Sequence, residues 1–570
     1  MADEKASDDG RILRLSTPLG KDFFLMESLE AREAISSIYT VSVSVLHEED
    51  PRKPGTPHEV KPEDILGKQV TIELNQSDGT IRYFNGIVSR FRQGHRTLQF
   101  THYSLDVVPQ FWMLTMSKQS RIFQDKDVKQ ILETVLSEKG IDFKIQTERE
   151  YQPRNYCVQY RETDFDFASR MMEEEGIYYY FEHTAEKHTM IIGDTQESHK
   201  DCPSKSSIEF VVRTDEKILG SVIRKWVLDY LLQTGKIERR DYHFQLPTTP
   251  FLVQEASRHT AFGNQEVEHY DWPGEYAQRF DGINRSGGDQ QAKFQKIYQD
   301  SAQVGKSAKD TLDAKHKTFI GESNCASFTA GHVAKIDKLP IKDQNGQYVF
   351  LSVTHSCHQS PDHVSNNEVN EAYVNDFECI PVKKAEFATF RPQKVTPKPT
   401  VYGPMTATVV GRAGEEIDTD KYGRIKVQFH WDRDGKNDLD SSCWLRVATS
   451  IAGNKYGTMY IPRIGQEVLV AFEHGDPDQP IVIGSVRNPQ TMPRYELPKY
   501  KTITHICTKT SPDDGKGFNE LRFEDRANKE QVFVHSQKRM DVRVRKDYYE
   551  TNGGTRQESI GGSNARTTGG

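Results

Sequence analysis

The segment between Pro404 and Pro489 constrains the fold of this chain more than any other stretch. It contains five short runs in which β-branched or aromatic residues alternate with polar ones, and Gly, Asp, Asn and Pro fill the gaps. The predicted strands are residues 406–411, 423–431, 443–449, 467–472 and 480–486. Five antiparallel strands in about ninety residues favour a small closed Greek-key barrel of the OB type over an open sheet.

The same alternation assigns the side chains that face the barrel interior. Every second residue of the run 425–431 is apolar, and the last two predicted strands continue the pattern. The predicted barrel core is Ile425, Val427, Phe429, Trp431, Val468, Val470 and Ile483. A closed barrel has no exposed sheet edge. We therefore expect this segment to form a compact, stiff joint.

Length and charge limit the remaining possibilities. A chain of 570 residues predicts about three or four domains. The 83 acidic and 75 basic side chains give a formal charge of -8, which argues against a protein whose main surface binds nucleic acid.

Export signals and disulfides are not expected from the sequence. No apolar run is long enough to cross a bilayer, and residues 1–10 are acidic and polar with no signal-peptide core behind them. The seven cysteines are scattered and include no C-x-x-C pair, which predicts reduced thiols. We therefore expect a protein made in the cytoplasm.

The chain before residue 391 predicts mostly strands with a few helices. Residues 39–46 place three valines on one face, and residues 69–74, 81–91 and 98–105 continue as strands of a barrel or sandwich. Residues 348–355 and 373–380 predict paired strands that close a second barrel.

Two helices interrupt these strands, and a polar, partly helical stretch is expected around residues 290–302. Asp127 can cap the first helix, whose apolar stripe spans 128–136. The second helix is expected to begin near Thr163 and to end at Gly176.

The final segment differs from the rest because it consists of short alternating runs with narrow apolar edges. Its apolar positions are Leu521, Phe523, Val532, Val534, Met540, Val542 and Val544. Such strands bury too little surface alone to offset their ordering entropy. Self-association solves this problem when copies of the chain wrap their apolar edges round one axis as an intertwined β-prism. The fold class expected overall is mainly β with a few helices.

Long motifs, in order along nearly the whole chain, resemble one family. They are residues 160–183, 420–435, 443–447, 461–480 and 518–525, including the runs Asp-Lys-Tyr-Gly-Arg-Ile-Lys-Val-Gln-Phe-His-Trp and Ile-Pro-Arg-Ile-Gly-Gln-Glu-Val-Leu-Val-Ala-Phe. This pattern is similar to VgrG, the valine-glycine-repeat spike protein of the bacterial type VI secretion system.

The resemblance implies a homotrimer shaped like a phage tail hub and spike. Residues 1–391 would be the hub base, 392–403 a Pro/Lys/Thr-rich linker, 404–489 the OB neck, 490–516 a spacer and 517–570 the start of a trimeric β-helix. In this family the hub sits on a tube of Hcp rings within a baseplate, a PAAR-repeat protein caps the tip, and effector proteins and their adaptors ride on the spike. Contraction drives the assembly out of the producing cell and through a target membrane. Longer members continue the β-helix further, so tip-binding and effector-loading residues cannot be carried over.

Enzymatic activity is the first alternative. Paired acids occur at 173–175, at 415–416 and at Asp418 with Asp420. A glycosidase needs two carboxylates across a cleft, one with a raised pKa. Only about thirty residues separate the barrel from Phe518, too few for an independent enzyme domain. The acids are therefore interpreted as solvated faces or turns, with no catalytic residue and no cofactor.

Metal binding is the second alternative. His355, Cys357, His358 and His363 lie close in sequence, but His355 and Cys357 share a strand face while His358 points the other way. The acidic turns 432–435 and 476–478 lack the downstream Glu of a calcium loop and are interpreted as Asx turns. We expect no metal site.

A polysaccharide- or nucleic-acid-binding OB protein is the third alternative, because Phe429 and Trp431 could stack on bases. Both residues share the inward face with Ile425 and Val427, so packing in the core explains them better. Fold alone does not assign function.

Overall fold

The computed structural model describes residues 7–8, 10–49, 60–76, 79–97, 99–212, 220–359, 373–382, 389–513, 515–563 and 565. The chain divides into two compact units, Met1–Val486 and Arg487–Gly570. No helix among the described residues is long and apolar enough to cross a membrane.

An antiparallel sheet of six strands opens the first unit. The strands are β1 (Leu13–Ser16), β2 (Leu25–Ala34), β3 (Thr40–Glu48), β4 (Gln69–Asn75), β5 (Ile81–Arg96) and β6 (Phe100–Val108). They pair in the order β1-β4-β5-β6-β3-β2. Val41, Val43 and Val45 are buried on one face of β3, as their alternation predicts.

Two helices cover this core. The next elements are β7 (Lys118–Phe123), α1 (Val128–Ser137), β8 (Phe143–Gln146), β9 (Cys157–Thr163), α2 (Asp164–Glu175), β10 (Tyr178–His183) and β11 (His188–Gly193). The predicted cap at Asp127 and the predicted ends of the second helix are confirmed. Asp127 forms a capping box with Gln130, Thr163 caps α2, and Gly176 ends α2 with a φ of 69°.

A closed six-stranded barrel follows. The elements of this part of the chain are β12 (Ser207–Phe210), β13 (Val222–Tyr230), β14 (Lys236–Asp241), β15 (Phe251–Ala256), β16 (Glu268–Asp271), α3 (Phe294–Ala314), β17 (Lys317–Ser323), β18 (Val333–Asp337), β19 (Gly346–His358) and β20 (Tyr373–Pro381). Strands β15, β14 and β16 form a separate three-stranded sheet, and the other six form the barrel. Strands β18, β12, β13, β17 and β20 lead round from β19, and the β19–β20 pairing closes the ring. The predicted pairing of 348–355 with 373–380 is confirmed. Strand β19 also pairs with β2, so the barrel and the first sheet are continuous.

The helix expected around 290–302 continues to Ala314. The sequence hides the second half because it contains Gly305 and several charged residues. Gly305 is required because a Cβ there would lie 2.4 Å from Val253 Cγ1, so the helix can pack closely against β15.

A five-stranded barrel completes the first unit. Its elements are β21 (Met405–Val410), β22 (Lys426–Phe429), β23 (Arg446–Val447), a small hairpin β24 (Ala452–Gly453) and β25 (Tyr456–Gly457), β26 (Glu467–Phe472) and β27 (Pro480–Val486). The order is β22-β21-β26-β27-β23, and an antiparallel bridge between Ile425 and Leu445 joins the two edges.

One predicted core position of this barrel is wrong. Ile425, Val427, Phe429, Val468 and Val470 are buried in the interior, and Trp431 packs against them half-buried. Ile483, however, is 45% exposed. In the pairing of β26 with β27, Leu469 lies opposite Gly484 and Val470 opposite Val482, so Ile483 has no partner residue. A bulge leaves the extra residue unpaired, so Val482 faces inward and Ile483 outward.

The second unit contains a three-stranded meander, β28 (Ile503–Lys509), β29 (Phe518–Glu524) and β30 (Gln531–His535). Strand β28 lies in the range predicted as a spacer, because Ile503 and Ile506 break strict alternation. Met540, Val542 and Val544 lie in a segment without regular secondary structure in the single chain.

Candidate assembly interface

The predicted prism-core residues form an exposed apolar surface in the second unit. Leu521 lies opposite Val534 and Phe523 opposite Val532, so these four share one face of β29 and β30. Their exposed fractions range from 37% at Leu521 to 67% at Val532. The structure therefore brings four of the seven predicted residues together and leaves their face uncovered by the chain itself.

The opposite face of the same strands is covered by the chain's own residues. Tyr495 donates a hydrogen bond from its hydroxyl to Glu520 Oε1 at 2.7 Å, and Arg522 Nη1 donates to Tyr495 at 2.7 Å. The Arg522 guanidinium also lies 4.5 Å from the centre of the Phe533 ring. The polar groups of one face are thus hydrogen-bonded within the chain, whereas the apolar face can be buried only by another molecule.

The remaining three predicted residues, Met540, Val542 and Val544, are also exposed, with fractions of 48% to 65%. A strand needs a neighbouring strand for its backbone hydrogen bonds, and the described part of one chain supplies none here. The prediction that they face a trimer axis remains a prediction.

The proline-rich stretch between the base and the barrel is held along its length. Glu173 accepts hydrogen bonds from the backbone N–H groups of Val395 and Thr396 and from the Thr396 hydroxyl, at 2.8 to 3.0 Å. Lys398 Nζ lies 2.7 Å from Asp476 and 2.9 Å from Asp478. Prolines keep the backbone extended, and these contacts fix its course across the first unit.

A buried ionic network lies beneath this stretch. Glu174 and Glu175, interpreted from the sequence as solvated, are buried, and that interpretation is wrong for both. Arg154 donates to each of them at 2.6 Å. Burial raises the pKa of Glu174, but the charges of Arg154, Arg170 and Arg279 outweigh it and hold the pKa well below its usual range. A carboxyl held ionised in this way is unsuited to general-acid catalysis.

Two of the remaining acids, Asp418 and Asp420, also have structural partners, whereas Glu415 is exposed. Asp418 is paired with Arg412 at 2.6 Å, and Asp420 with Arg424 at 2.7 Å. Both are buried, not solvated. The expected Asx turns are present, since Asp434 N donates to Asp432 Oδ1 at 3.1 Å and Asp478 N to Asp476 Oδ1 at 2.9 Å.

The residues considered for zinc separate in the structure. His355 is buried between Glu33 Oε1, 3.0 Å from its Nε2, and the Tyr373 hydroxyl, 2.6 Å from its Nδ1. Cys357 packs in the apolar core, His358 is exposed, and His363 lies outside the described residues. Within the described ranges, no cluster of three or more ligands suited to a metal is found.

Three family models match the chain in order. Residues 32–361 match the phage tail baseplate hub (GPD), and residues 406–486 match the type VI secretion system/phage-baseplate injector OB domain. Residues 504–570 match the bacteriophage T4 gp5 C-terminal trimerisation domain. The first model alone covers more than half of the chain.

Curated relatives extend over the same length. The type VI secretion system spike protein VgrG1b of Pseudomonas aeruginosa is 34% identical over 554 residues, which is 96% of this chain and 70% of the relative. VgrG1a of the same organism is 34% identical over 541 residues, 94% of this chain and 79% of the relative. The chain belongs to the VgrG family. It is a hub and spike component of a type VI secretion system.

Another VgrG relative is the actin cross-linking toxin VgrG1 of Vibrio cholerae, 35% identical over 497 residues. That match covers 85% of this chain but only 42% of the toxin.

Solved structures agree on the fold. The E. coli c3393 protein, described as a type VI component similar to the T4 tail proteins gp27 and gp5, superposes with a TM-score of 0.55 at 18% identity, covering 83% of this chain and 99% of that chain. A VgrG fold is also found in the Francisella PdpA-VgrG complex, with a TM-score of 0.52 at 10% identity, covering 92% of this chain and 87% of that chain.

Proposed function

We propose that three copies of this chain form a hub and spike that carries force from a secretion tube to a puncturing tip. The observation that carries the proposal is the order of hub, injector OB and trimerisation domains along one chain. Residues 1–391 form the base, 392–403 the connector, 404–489 the neck, 490–516 the spacer and 517–570 the spike.

The spike derives its stiffness from association. Leu521, Phe523, Val532 and Val534 present an apolar face that one chain leaves exposed. Burying such side chains is worth about 1.5 to 3 kcal/mol each. In a prism of three chains, Met540, Val542 and Val544 extend this core, and the backbone groups around them pair between chains. A structure closed in this way resists bending during a fast thrust.

The partners proposed for this trimer follow from the family. The base joins the Hcp tube ring and the baseplate, a PAAR-repeat protein caps the tip, and effector proteins with their adaptors travel on the spike. The toxin relative and the PdpA-VgrG complex support partner or cargo proteins for the family. The chain itself acts mechanically and catalyses no reaction. It is made in the cytoplasm and leaves the cell through the type VI apparatus, piercing a target membrane transiently.

Light scattering on the full chain tests this proposal. A mass near three times 65.3 kDa supports it, whereas a mass of one chain contradicts it. Sedimentation with purified Hcp tubes then tests the base, and recovery of the chain in the tube pellet is the expected result. A trimer that stays in the supernatant would contradict the tube-binding role and leave the trimer intact.

A further inference from the structure

The OB barrel carries a second apolar surface, separate from the spike. The segment 449–460 leaves the barrel as a short arm built round the β24–β25 hairpin. Ile451, Tyr456, Met459 and Tyr460 expose 56% to 72% of their surface on it. The arm contains one charged residue, Lys455, and no acid. Four large apolar side chains on twelve residues are far more than a solvated loop needs.

The arm has a defined shape in the single chain. Thr458 N donates to Ile451 O at 3.0 Å, and the hydroxyls of Ser450 and Thr458 are 2.8 Å apart. Gly457 has a φ of 128°, and a Cβ there would lie 2.2 Å from Ile451 O, so only glycine fits. The apolar side chains are therefore presented by a rigid turn, which lowers the entropic cost of docking.

A candidate acceptor lies on the same barrel. The bulge in β27 turns Ile483 outward, and Val486 at the end of that strand is 38% exposed. Because Ile483 remains 45% exposed, the arm of the same chain does not cover it. These two residues form the acceptor patch.

We propose that the arm of each copy docks on the acceptor patch of a neighbouring copy, so that the OB barrels form a ring of three. The inference rests on the proposed trimer. Arm and patch are different surfaces, and such head-to-tail contacts close into a ring when the rotation fits. The acceptor strand ends at Val486 and the trimerisation match begins at residue 504, so the intervening residues span at most about 60 Å. The patch is therefore separated by 17 residues from the segment that matches a trimerisation domain.

Photochemical cross-linking from the arm tests this contact. Tyr456 is replaced by p-benzoylphenylalanine in the full chain, and unlabelled copies are mixed with isotope-labelled copies before assembly. Irradiation should give covalent dimers and trimers whose cross-linked peptides contain residues 480–487 of the other copy. Cross-links confined to the same chain, or formed between chains away from 480–487, would overturn the inference.

A matched pair of substitutions keeps the test specific. Ile483→Ser should lower the yield of the interchain product about fivefold or more, because it removes the apolar contact. The control is Val227→Ser on β13 of the six-stranded barrel. Val227 is 42% exposed, and its replacement should leave the yield unchanged. Equal yields in the two variants would overturn the acceptor assignment. A wild-type mass of one chain would instead refute the proposed trimer, so the two failures are distinguishable.

Discussion

Lys398 and Asp476 join the connector to the OB barrel through an ion pair of 2.7 Å, measured from Nζ to Oδ2. Burial raises the pKa of Asp476 to about 6 despite the opposing charge of Lys398. Lys398 therefore offsets part of the free-energy cost of burying the ionised Asp476 carboxylate. This pair and the hydrogen bonds to Glu173 give the proline-rich connector a fixed path. Its composition alone predicts an extended spacer but not these contacts.

Replacing Lys398 with Met should destabilise the joint. The change leaves Asp476 and Asp478 partly buried without their cation, which should cost about 2 to 3 kcal/mol, somewhat less than for a fully buried pair. Hydrogen exchange should become faster in the connector and in the turn 473–479. Lys338→Met is the control, because its pair with Glu209 is largely exposed and contributes little. Equal effects of the two substitutions would show that the joint does not depend on this pair.

Replacing Glu173 with Ala should release the connector from α2. The variant loses the acceptor of three hydrogen bonds to residues 395 and 396, each worth about 1 kcal/mol net. Trypsin should then cleave after Lys394, which Val395 follows, several-fold faster than in the wild type. Glu133→Ala, an exposed position on α1, serves as the control. Unchanged cleavage would mean that the other contacts of the connector suffice.

The spacing of apolar residues predicted the helices and strands well where the local sequence alone determines the structure. The capped helices, the buried face of β3 and the interior of the OB barrel belong to this class. In each of them, the spacing of apolar residues or the capping residue can be recognised from residues that are close together in the sequence. Three features depend on distant partners and could not be predicted. Ile483 is displaced by a bulge, and Gly305 serves a contact with β15. Glu174 is held in its buried position by Arg154 and Arg279, which come from parts of the chain distant from α2.

Acid should weaken the first unit through Glu33. Burial alone would raise the pKa of this carboxyl, but Arg82 and the hydrogen bond with His355 outweigh it and lower the pKa to about 2 from 4.5. Because the folded pKa lies below the unfolded value, the stabilisation is complete above pH 4.5 and is lost as the pH falls towards 2. The shift corresponds to a loss on the order of 3 kcal/mol.

Amide exchange of β2 and β5 between pH 6 and pH 2.5 measures this effect after correction for the intrinsic exchange rate. Glu33→Gln should be less stable than the wild type at pH 6, because Arg82 loses its buried counter-charge. The difference between the two proteins should shrink as the pH falls below 4.5. A constant difference across this range would show that Glu33 does not titrate as described.

Replacing Val542 and Val544 together with Asp should weaken the trimer and leave the base folded. In the proposed prism both side chains face the axis, so the variant would place six carboxylates in an apolar core, where unpaired charges are strongly disfavoured. Light scattering should show a shift from three chains towards one, while circular dichroism of the base is retained. The control changes the alternate residues, Arg543→Ser with Arg545→Ser, which face outward in the same arrangement and should leave the mass at three chains. If the valine variant keeps both its trimeric mass and its resistance to heat, these valines do not form the prism core, and the axis must be lined by other residues of the segment.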